Sequence, residues 1–188
     1  DGTLDVFLAK GWTMGQRNTP NEVWFNDGLG NFADSGQRLG KAESYDVALG
    51  DLNGDGSLDV YAATLSPEAA ISDGAADRIL LNNGSGSLVD SGQRLGLIES
   101  TAVALADLDG DGDLDALVGT SSGAEVWLNQ GGVQGGETGI LAPSGQALAG
   151  SPTEAVFLAD FDRDGTQDAL IAGVVQAVIW RNDGQGSF

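Results

Sequence analysis

The stretch that decides the fold is Asp51-Leu-Asn-Gly-Asp-Gly-Ser-Leu-Asp59. The same nine-residue pattern returns without gaps at 107–115 and 160–168, and its second half stands at 1–5. An internal period of this length predicts a repeat protein in which each repeat is one supersecondary unit. The fifth pattern positions are 54, 56 and 53 residues apart, at Asp1, Asp55, Asp111 and Asp164.

Two further markers recur in the same order as this pattern. One is a short apolar segment that ends in asparagine before a glycine-rich turn, at 21–26, 77–82, 124–129 and 177–182. The other is Ser-Gly-Gln-Arg-Leu-Gly, at 35–40 and 91–96, with a degraded copy at 144–149. Three markers at one period leave little room for coincidence.

Each repeat has the composition of four short strands, which we call A to D. Residues 45–50 alternate ahead of the acidic pattern and 58–63 follow it, while 78–82 and 87–95 flank a glycine-rich hairpin turn. We therefore predict an all-β fold, a β-propeller of four-stranded antiparallel blades with about three and a half blades in this chain.

The whole chain, 1–188, is predicted to be a single propeller segment. Its blades are expected at 1–40 (without strand A), 41–96, 97–149 and 150–188 (with a partial strand D). Because Asp1 falls inside the repeated pattern, we expect the sequence to be a piece of a longer or processed chain. The open alternatives are a fragment of a larger ring, a piece completed by a strand of another chain, and a four-bladed ring closed by two halves of one blade.

Composition narrows the function. Twenty-eight acidic residues against eight basic ones give a net charge of −20, which repels phosphate backbones and anionic lipid surfaces. We therefore expect no nucleic-acid partner, and no membrane insertion either, since no run of about 18 apolar residues is present. The absence of Cys and His removes the usual zinc sites, thiol nucleophiles and histidine bases.

The acidic pattern is predicted to bind calcium. Alternate residues of a tight loop point inward, so the side-chain oxygens at positions 1, 3, 5 and 9 converge, a carbonyl at position 7 can join them, and glycine at position 6 permits the turn. Hard oxygen ligands in a flexible cage suit calcium better than magnesium. The predicted metal ligands are Asp51, Asn53, Asp55, Ser57, Asp59, Asp107, Asp109, Asp111, Asp113, Asp115, Asp160, Asp162, Asp164, Thr166 and Asp168, with Asp1 and Asp5 as the remnant of a fourth site.

Two other interpretations of the loops fit the residues less well. An EF-hand requires Glu at position 12, where this chain has Ala62, Val118 and Ile171, and no helical pattern flanks the loops. Ordinary Asp-Gly turns would leave several carboxylates repelling each other without a cation. Since the three loops contain 12 of the 28 acidic residues, cation binding would account for much of the negative charge.

These residues carry a family resemblance. The chain resembles the FG-GAP/VCBS repeats, the blade units of integrin-α-type β-propellers, of many bacterial secreted proteins and of some lectins. The resemblance covers nearly the whole chain and implies that Asp51, Asn53, Asp55, Asp59 and their counterparts are metal ligands. Rings of this family commonly have about seven blades, which favours a larger ring. Asp1 and Asp5 depart from the pattern, because loop positions 1 and 3 have no counterpart there.

The tryptophans divide into two groups. Trp24, Trp127 and Trp180 share one position of strand C, where the second blade has Leu80, which predicts packing between blades. Trp12 has no counterpart and lies in a long B–C connection at 10–21; a second insertion spans 66–77. Insertions on a repeat scaffold often carry specificity, so Trp12 and Arg17 are candidate ligand-binding residues, the alternative being a tolerated surface insertion.

The sequence thus favours an extracellular or cell-surface, calcium-stabilised binding or adhesion module without enzymatic activity. Calcium loops of extracellular modules typically bind at about 10⁻⁴–10⁻³ M, which suits the outside of a cell. The alternatives are a carbohydrate-binding lectin and a structural subunit of a surface layer or fibre. The expected partner is an extracellular protein or glycan, with self-assembly or completion of the ring by other chain segments also open.

Overall fold

The computed structural model describes residues 2–11, 19–40, 43–64, 76–96, 98–148 and 150–188. Within these ranges the secondary structure is fourteen β-strands and one 3-10 turn, Gly132–Gln134. Among the described residues, no helix has the length and apolar character needed to cross a bilayer. The strands are β1 (Val6–Leu8), β2 (Asn21–Asn26), β3 (Phe32–Leu39), β4 (Ser44–Gly50), β5 (Asp59–Thr64), β6 (Arg78–Asn82), β7 (Leu88–Asp90), β8 (Ser100–Ala106), β9 (Asp115–Thr120), β10 (Gly123–Asn129), β11 (Leu141–Leu148), β12 (Thr153–Ala159), β13 (Asp168–Gly173) and β14 (Ala177–Trp180).

The strands form four antiparallel sheets in which consecutive strands are neighbours. Sheet 1 is β1–β3, sheet 2 is β4–β7, sheet 3 is β8–β11 and sheet 4 is β12–β14. Sheets 2 and 3 have all four strands, whereas sheet 1 has only B, C and D and sheet 4 only A, B and C. The predicted all-β, blade-like architecture is confirmed, and each sheet falls within one of the four predicted blade segments.

Strand D of the second blade is shorter than predicted. β7 ends at Asp90, and the chain rejoins the sheet at Leu95, which forms an isolated bridge with Asp77. Gly92 lies between these points with a φ of +86°, the same left-handed conformation that Gly36 (+79°) and Gly145 (+81°) adopt within the longer strands β3 and β11.

The core lies between neighbouring sheets. The first strands β4, β8 and β12 pack side by side, and all six residues of β5 and of β9 are buried, because these two B strands are covered on both faces. The residue that follows position 9 of the acidic pattern pairs with Trp24, Leu80, Trp127 or Trp180, in one register. Trp127 lies in the cluster between sheets 2 and 3, and Trp180 packs on that between sheets 3 and 4, which confirms the predicted packing role at both positions.

The glutamine of the third marker joins neighbouring sheets. Its side-chain N–H donates to a glycine carbonyl in the next sheet, and its side-chain oxygen accepts from the backbone N–H two residues further on. This pair of hydrogen bonds imitates one rung of a β-ladder. Gln37 donates to the Gly86 carbonyl at 2.8 Å and accepts from the Leu88 N–H at 2.9 Å. The corresponding distances are 2.7 and 3.0 Å for Gln93 with Gly139 and Leu141. They are 2.5 and 2.9 Å for Gln146 with Gly186 and Phe188.

A buried carboxyl group also lies between sheets 2 and 3. Asp77 is 1% exposed and accepts hydrogen bonds from the Tyr61 hydroxyl (3.0 Å), the Ser100 hydroxyl (2.8 Å) and the Thr64 N–H (2.7 Å). Burial raises the pKa of Asp77 to about 7, against the opposing effect of these donors, and the nearby Glu125 carboxylate raises it further.

Candidate metal sites in the acidic loops

The three acidic loops connect strands A and B of sheets 2, 3 and 4. We call them the first loop (51–59), the second loop (107–115) and the third loop (160–168). The glycine at position 6 is left-handed in each, with φ values of +87° at Gly56, +94° at Gly112 and +95° at Gly165. An L-residue adopts this conformation only with strain, so the sequence requirement for glycine has a direct structural cause.

The carboxylate at position 1 organises each loop. It accepts hydrogen bonds from the backbone N–H groups of positions 5 and 6, which turn inward around it. The distances are 3.0 and 2.8 Å at Asp51, 3.2 and 3.0 Å at Asp107, and 3.2 and 3.1 Å at Asp160. The loop conformation is therefore held by the chain itself, which favours a preformed site.

The carboxylate at position 9 joins the loop to strand C. Asp59, Asp115 and Asp168 are completely buried, and one oxygen of each accepts from the N–H of position 2 at 2.8–3.0 Å. The other oxygen accepts from the N–H of the asparagine at the end of strand C (Asn82 and Asn129) or two residues beyond it (Asn182), at 2.7–2.9 Å. Asp5 keeps the second of these contacts, from the Asn26 N–H at 2.9 Å. Each oxygen still has a lone pair available to a cation.

Burial perturbs the acidity of several loop carboxyls. It raises the pKa of Asp115 to about 7 and also raises the pKa values of Asp59 and Asp109. A cation within reach would favour the ionised form and offset this effect. In contrast, the Ser57 N–H lowers the pKa of Asp55, and the Thr166 hydroxyl lowers that of Asp164.

Positions 1, 3 and 9 bring carboxylate oxygens together in two of the loops. In the second loop, one oxygen each from Asp107, Asp109 and Asp115 lie within 4.8 Å of one another. Asp160, Asp162 and Asp168 form the corresponding group in the third loop. Both groups can hold a metal ion. The first loop has Asn53 at position 3, an amide oxygen in place of a carboxylate.

Positions 5 and 7 are arranged differently. The position 5 carboxylates of Asp55, Asp111 and Asp164 accept from the N–H of position 7 at 2.8 Å, and neither Asp111 nor Asp164 belongs to the convergent groups. Their role as metal ligands stays a prediction. So does that of the position 7 residues, Ser57, Asp113 and Thr166.

Three predicted site residues lie outside the described residues. These are Asp1, the position 5 aspartate of the partial pattern, and Trp12 and Arg17, the candidate ligand-binding residues. Most of the insertion at 66–77 lies outside them as well. The ligand-binding role of Trp12 and Arg17 therefore stays a prediction.

Sequence reasoning missed the role of the asparagine that ends strand C. Its amide N–H donates to the position 8 carbonyl of its own sheet's loop, at 3.1–3.2 Å for Asn26, Asn82, Asn129 and Asn182. Asn129 and Asn182 also donate to the position 2 carbonyl of the preceding sheet's loop, at 2.9 and 2.7 Å. Its invariant place in the second marker was the available signal.

The sequence matches the FG-GAP-like repeat family over residues 1–62, 66–118 and 107–171. Each matched segment ends three residues beyond an acidic loop, so the match includes all three loops. The sequence matches no curated protein.

Proposed function

The chain belongs to the FG-GAP-like repeat family, and on this basis we propose that it is a calcium-stabilised, extracellular β-propeller module that binds a protein partner and is not an enzyme. The observation that carries the proposal is the convergence of three carboxylates at positions 1, 3 and 9 of both the second and the third loop. Position 9 is completely buried in each.

The donor set favours calcium. The loops offer carboxylate, amide and carbonyl oxygens and no nitrogen or sulfur ligand, since the sequence contains neither His nor Cys. A flexible loop with many oxygen donors suits calcium, whereas magnesium needs a near-ideal octahedron.

Calcium at these loops would stabilise the packing between sheets. Asp115 holds the N–H of Asn129, and the amide of Asn129 in turn donates to the Leu52 carbonyl in the loop of the preceding sheet. A cation that fixes Asp115 therefore also fixes the contact between sheets 2 and 3. Any ligand that binds only the folded state stabilises it by mass action.

The extracellular setting is proposed on the affinity that calcium loops of extracellular modules typically have. At about 10⁻⁴–10⁻³ M they fill where calcium is plentiful and stay empty in a cytosol. A binding role in place of catalysis is supported by the family and by a site in which both oxygens of each position 9 carboxylate already accept from backbone N–H groups.

The test is calcium titration of chelator-treated protein by calorimetry and thermal unfolding. At a calcium concentration tenfold above the dissociation constant, each site should stabilise the fold by about 1.4 kcal/mol. For a domain of this size that corresponds to roughly 3–6 °C per site. Asp160→Asn should lose one site, whereas Glu154→Gln, an equal charge change on an exposed residue of β12, should keep all of them. Unfolding curves that coincide in calcium and in chelator would contradict the proposal.

The kind of partner needs a separate experiment. A glycan array probed with the folded protein, first in calcium and then in chelator, separates a sugar ligand from a protein ligand. We expect no calcium-dependent glycan signal. A reproducible signal that Trp12→Ala abolishes would replace the protein-binding proposal with the lectin alternative.

A further inference from the structure

The second loop differs from the other two in what lies beside it. Residues 130–140 join β10 to β11, whereas the corresponding connections in sheets 1 and 2 are only 27–31 and 83–87. We call 130–140 the cover segment. The 3-10 turn Gly132–Gln134 folds it over the second loop.

The cover segment makes hydrogen bonds to three carboxylates of the second loop. The Val133 N–H donates to Asp111 at 3.2 Å, and the Thr138 hydroxyl donates to Asp113 at 3.4 Å. The side-chain amide of Gln134 donates to Asp109, the position 3 residue of the convergent group. The cover segment therefore touches positions 3, 5 and 7 of one loop.

Glycines make this close approach possible. A Cβ atom at Gly131 would clash with the Asp113 carboxylate, and one at Gly132 would clash with that of Asp111. On the opposite side, a Cβ at Gly139 would stand 3.0 Å from the Cβ of Asn53 in the first loop. The cover segment is thus closely packed between the first and the second loop, which restricts its movement.

Only one of the two polar atoms of the Gln134 side-chain amide has a hydrogen-bond partner among the described residues. Its nitrogen lies against Asp109, but its oxygen is buried and has no hydrogen-bond partner among the described residues. A buried carbonyl oxygen without a partner is unfavourable. When a cation lies among the convergent carboxylates, a half turn of the amide group exchanges the two atoms and directs the oxygen toward that cation. Amide oxygens are ordinary calcium ligands.

We propose that Gln134 supplies an oxygen ligand from outside the loop, and that the second loop is consequently the tightest calcium site of the three. The inference rests on the proposed function, because it assumes that the loops bind calcium. The negative charge of the second loop also favours tighter calcium binding, because this loop has aspartate at all of positions 1, 3, 5, 7 and 9. The first loop has the uncharged residues Asn53 and Ser57 at positions 3 and 7, and the third loop has Thr166 at position 7. Higher ligand charge raises calcium affinity.

The experiment is a calcium titration of the whole chain against a competing chelator. The wild type should show one phase tighter than the rest, and Asp107→Ala should remove it. Gln134→Ala should weaken that phase at least about tenfold, because even residues that only orient metal ligands contribute about 10–100-fold to metal affinity. Gln185→Ala is the matched control, because Gln185 is an exposed glutamine in the turn that follows strand C of sheet 4, and its titration should coincide with that of the wild type.

A second variant tests the oxygen specifically. Gln134→Glu keeps an oxygen ligand but removes the N–H donor, so it should bind calcium at least as tightly as the wild type. A loss equal to that of Gln134→Ala would overturn the proposal, because the N–H donor would then be the part that matters. A Gln134→Ala titration identical to that of the wild type would also overturn it while leaving the proposed function intact. No calcium uptake by the wild type would instead overturn the proposed function itself.

Discussion

Replacing Gln93 by glutamate tests whether the glutamine side chains join the sheets. Gln93→Glu has nearly the same shape but puts an oxygen where the amide nitrogen donates to the Gly139 carbonyl at 2.7 Å. The other oxygen can still accept from the Leu141 N–H, at 3.0 Å in the wild type. The substitution therefore converts one of two hydrogen bonds into a repulsive contact between oxygens.

The expected loss follows from these contacts. A hydrogen bond of this kind contributes about 1 kcal/mol, and leaving a partly buried carbonyl unpaired costs about 1–3 kcal/mol. We expect Gln93→Glu to lower the free energy of unfolding by about 2–3 kcal/mol. The deficit should shrink below about pH 4, since a protonated carboxyl group can again donate to Gly139.

Urea unfolding in saturating calcium, followed by tryptophan fluorescence, measures the effect. Gln185→Glu makes the same change of charge at an exposed position and should alter stability by less than about 0.5 kcal/mol. If the two variants unfold at the same urea concentration, the glutamine does not hold sheets 2 and 3 together, and the reasoning is refuted.

Three further changes probe the contacts between sheets by urea unfolding. Leu108→Ala should lower the free energy of unfolding by about 2–5 kcal/mol, because Leu108 is 1% exposed. Phe161 has the same loop position but is 43% exposed, so Phe161→Ala should lower it by less than about 1 kcal/mol. Equal losses would contradict the assigned packing. Asp77 binds its proton more readily in the folded state, so the free energy of unfolding should fall by at most about 4 kcal/mol as the pH rises from about 4 to about 7. Asp77→Asn should flatten this part of the curve of stability against pH. An unchanged slope would exclude Asp77 as the source of the pH dependence. Gly119→Ala should lower the free energy of unfolding by about 1–3 kcal/mol, because the new Cβ would stand 2.6 Å from a methyl carbon of β12. A Cβ at Gly150 meets no atom within 4 Å, so Gly150→Ala should leave stability nearly unchanged. If Gly119→Ala also leaves stability unchanged, sheets 3 and 4 are not so closely packed.

Much of the fold could be predicted from patterns within one repeat. The spacing of the acidic pattern, the glycine at position 6 and the alternating segments on either side are local features, and local backbone preferences determine turns and strands. The shared position of Trp127 and Trp180 could be found by aligning the repeats, because packing between equivalent sheets uses equivalent residues.

The place of the candidate site could be predicted from the sequence, but not which of its carboxylates converge. The spacing treats positions 1, 3, 5 and 9 alike, yet Asp107, Asp109 and Asp115 converge while Asp111 does not. The difference arises because Asp111 accepts from the N–H of position 7, whereas Asp115 is directed inward by N–H groups of Leu108 and strand C. Which contacts a carboxylate makes depends on backbone groups that are placed by the rest of the fold.

By itself, then, the sequence determined the repeat, the strand composition and the place of the acidic loops, because these depend on residues near one another in the chain. Only the tertiary structure decided how the repeats are joined. Gln93 meets Gly139 across 46 residues, and Asn129 meets the Leu52 carbonyl across 77. The Gln134 contact with Asp109 likewise depends on a connection that no other repeat shares. The repeated markers identify the Gln93 and Asn129 side chains that donate the hydrogen bonds between sheets, but not their partners, because the partners are backbone carbonyls that every residue possesses.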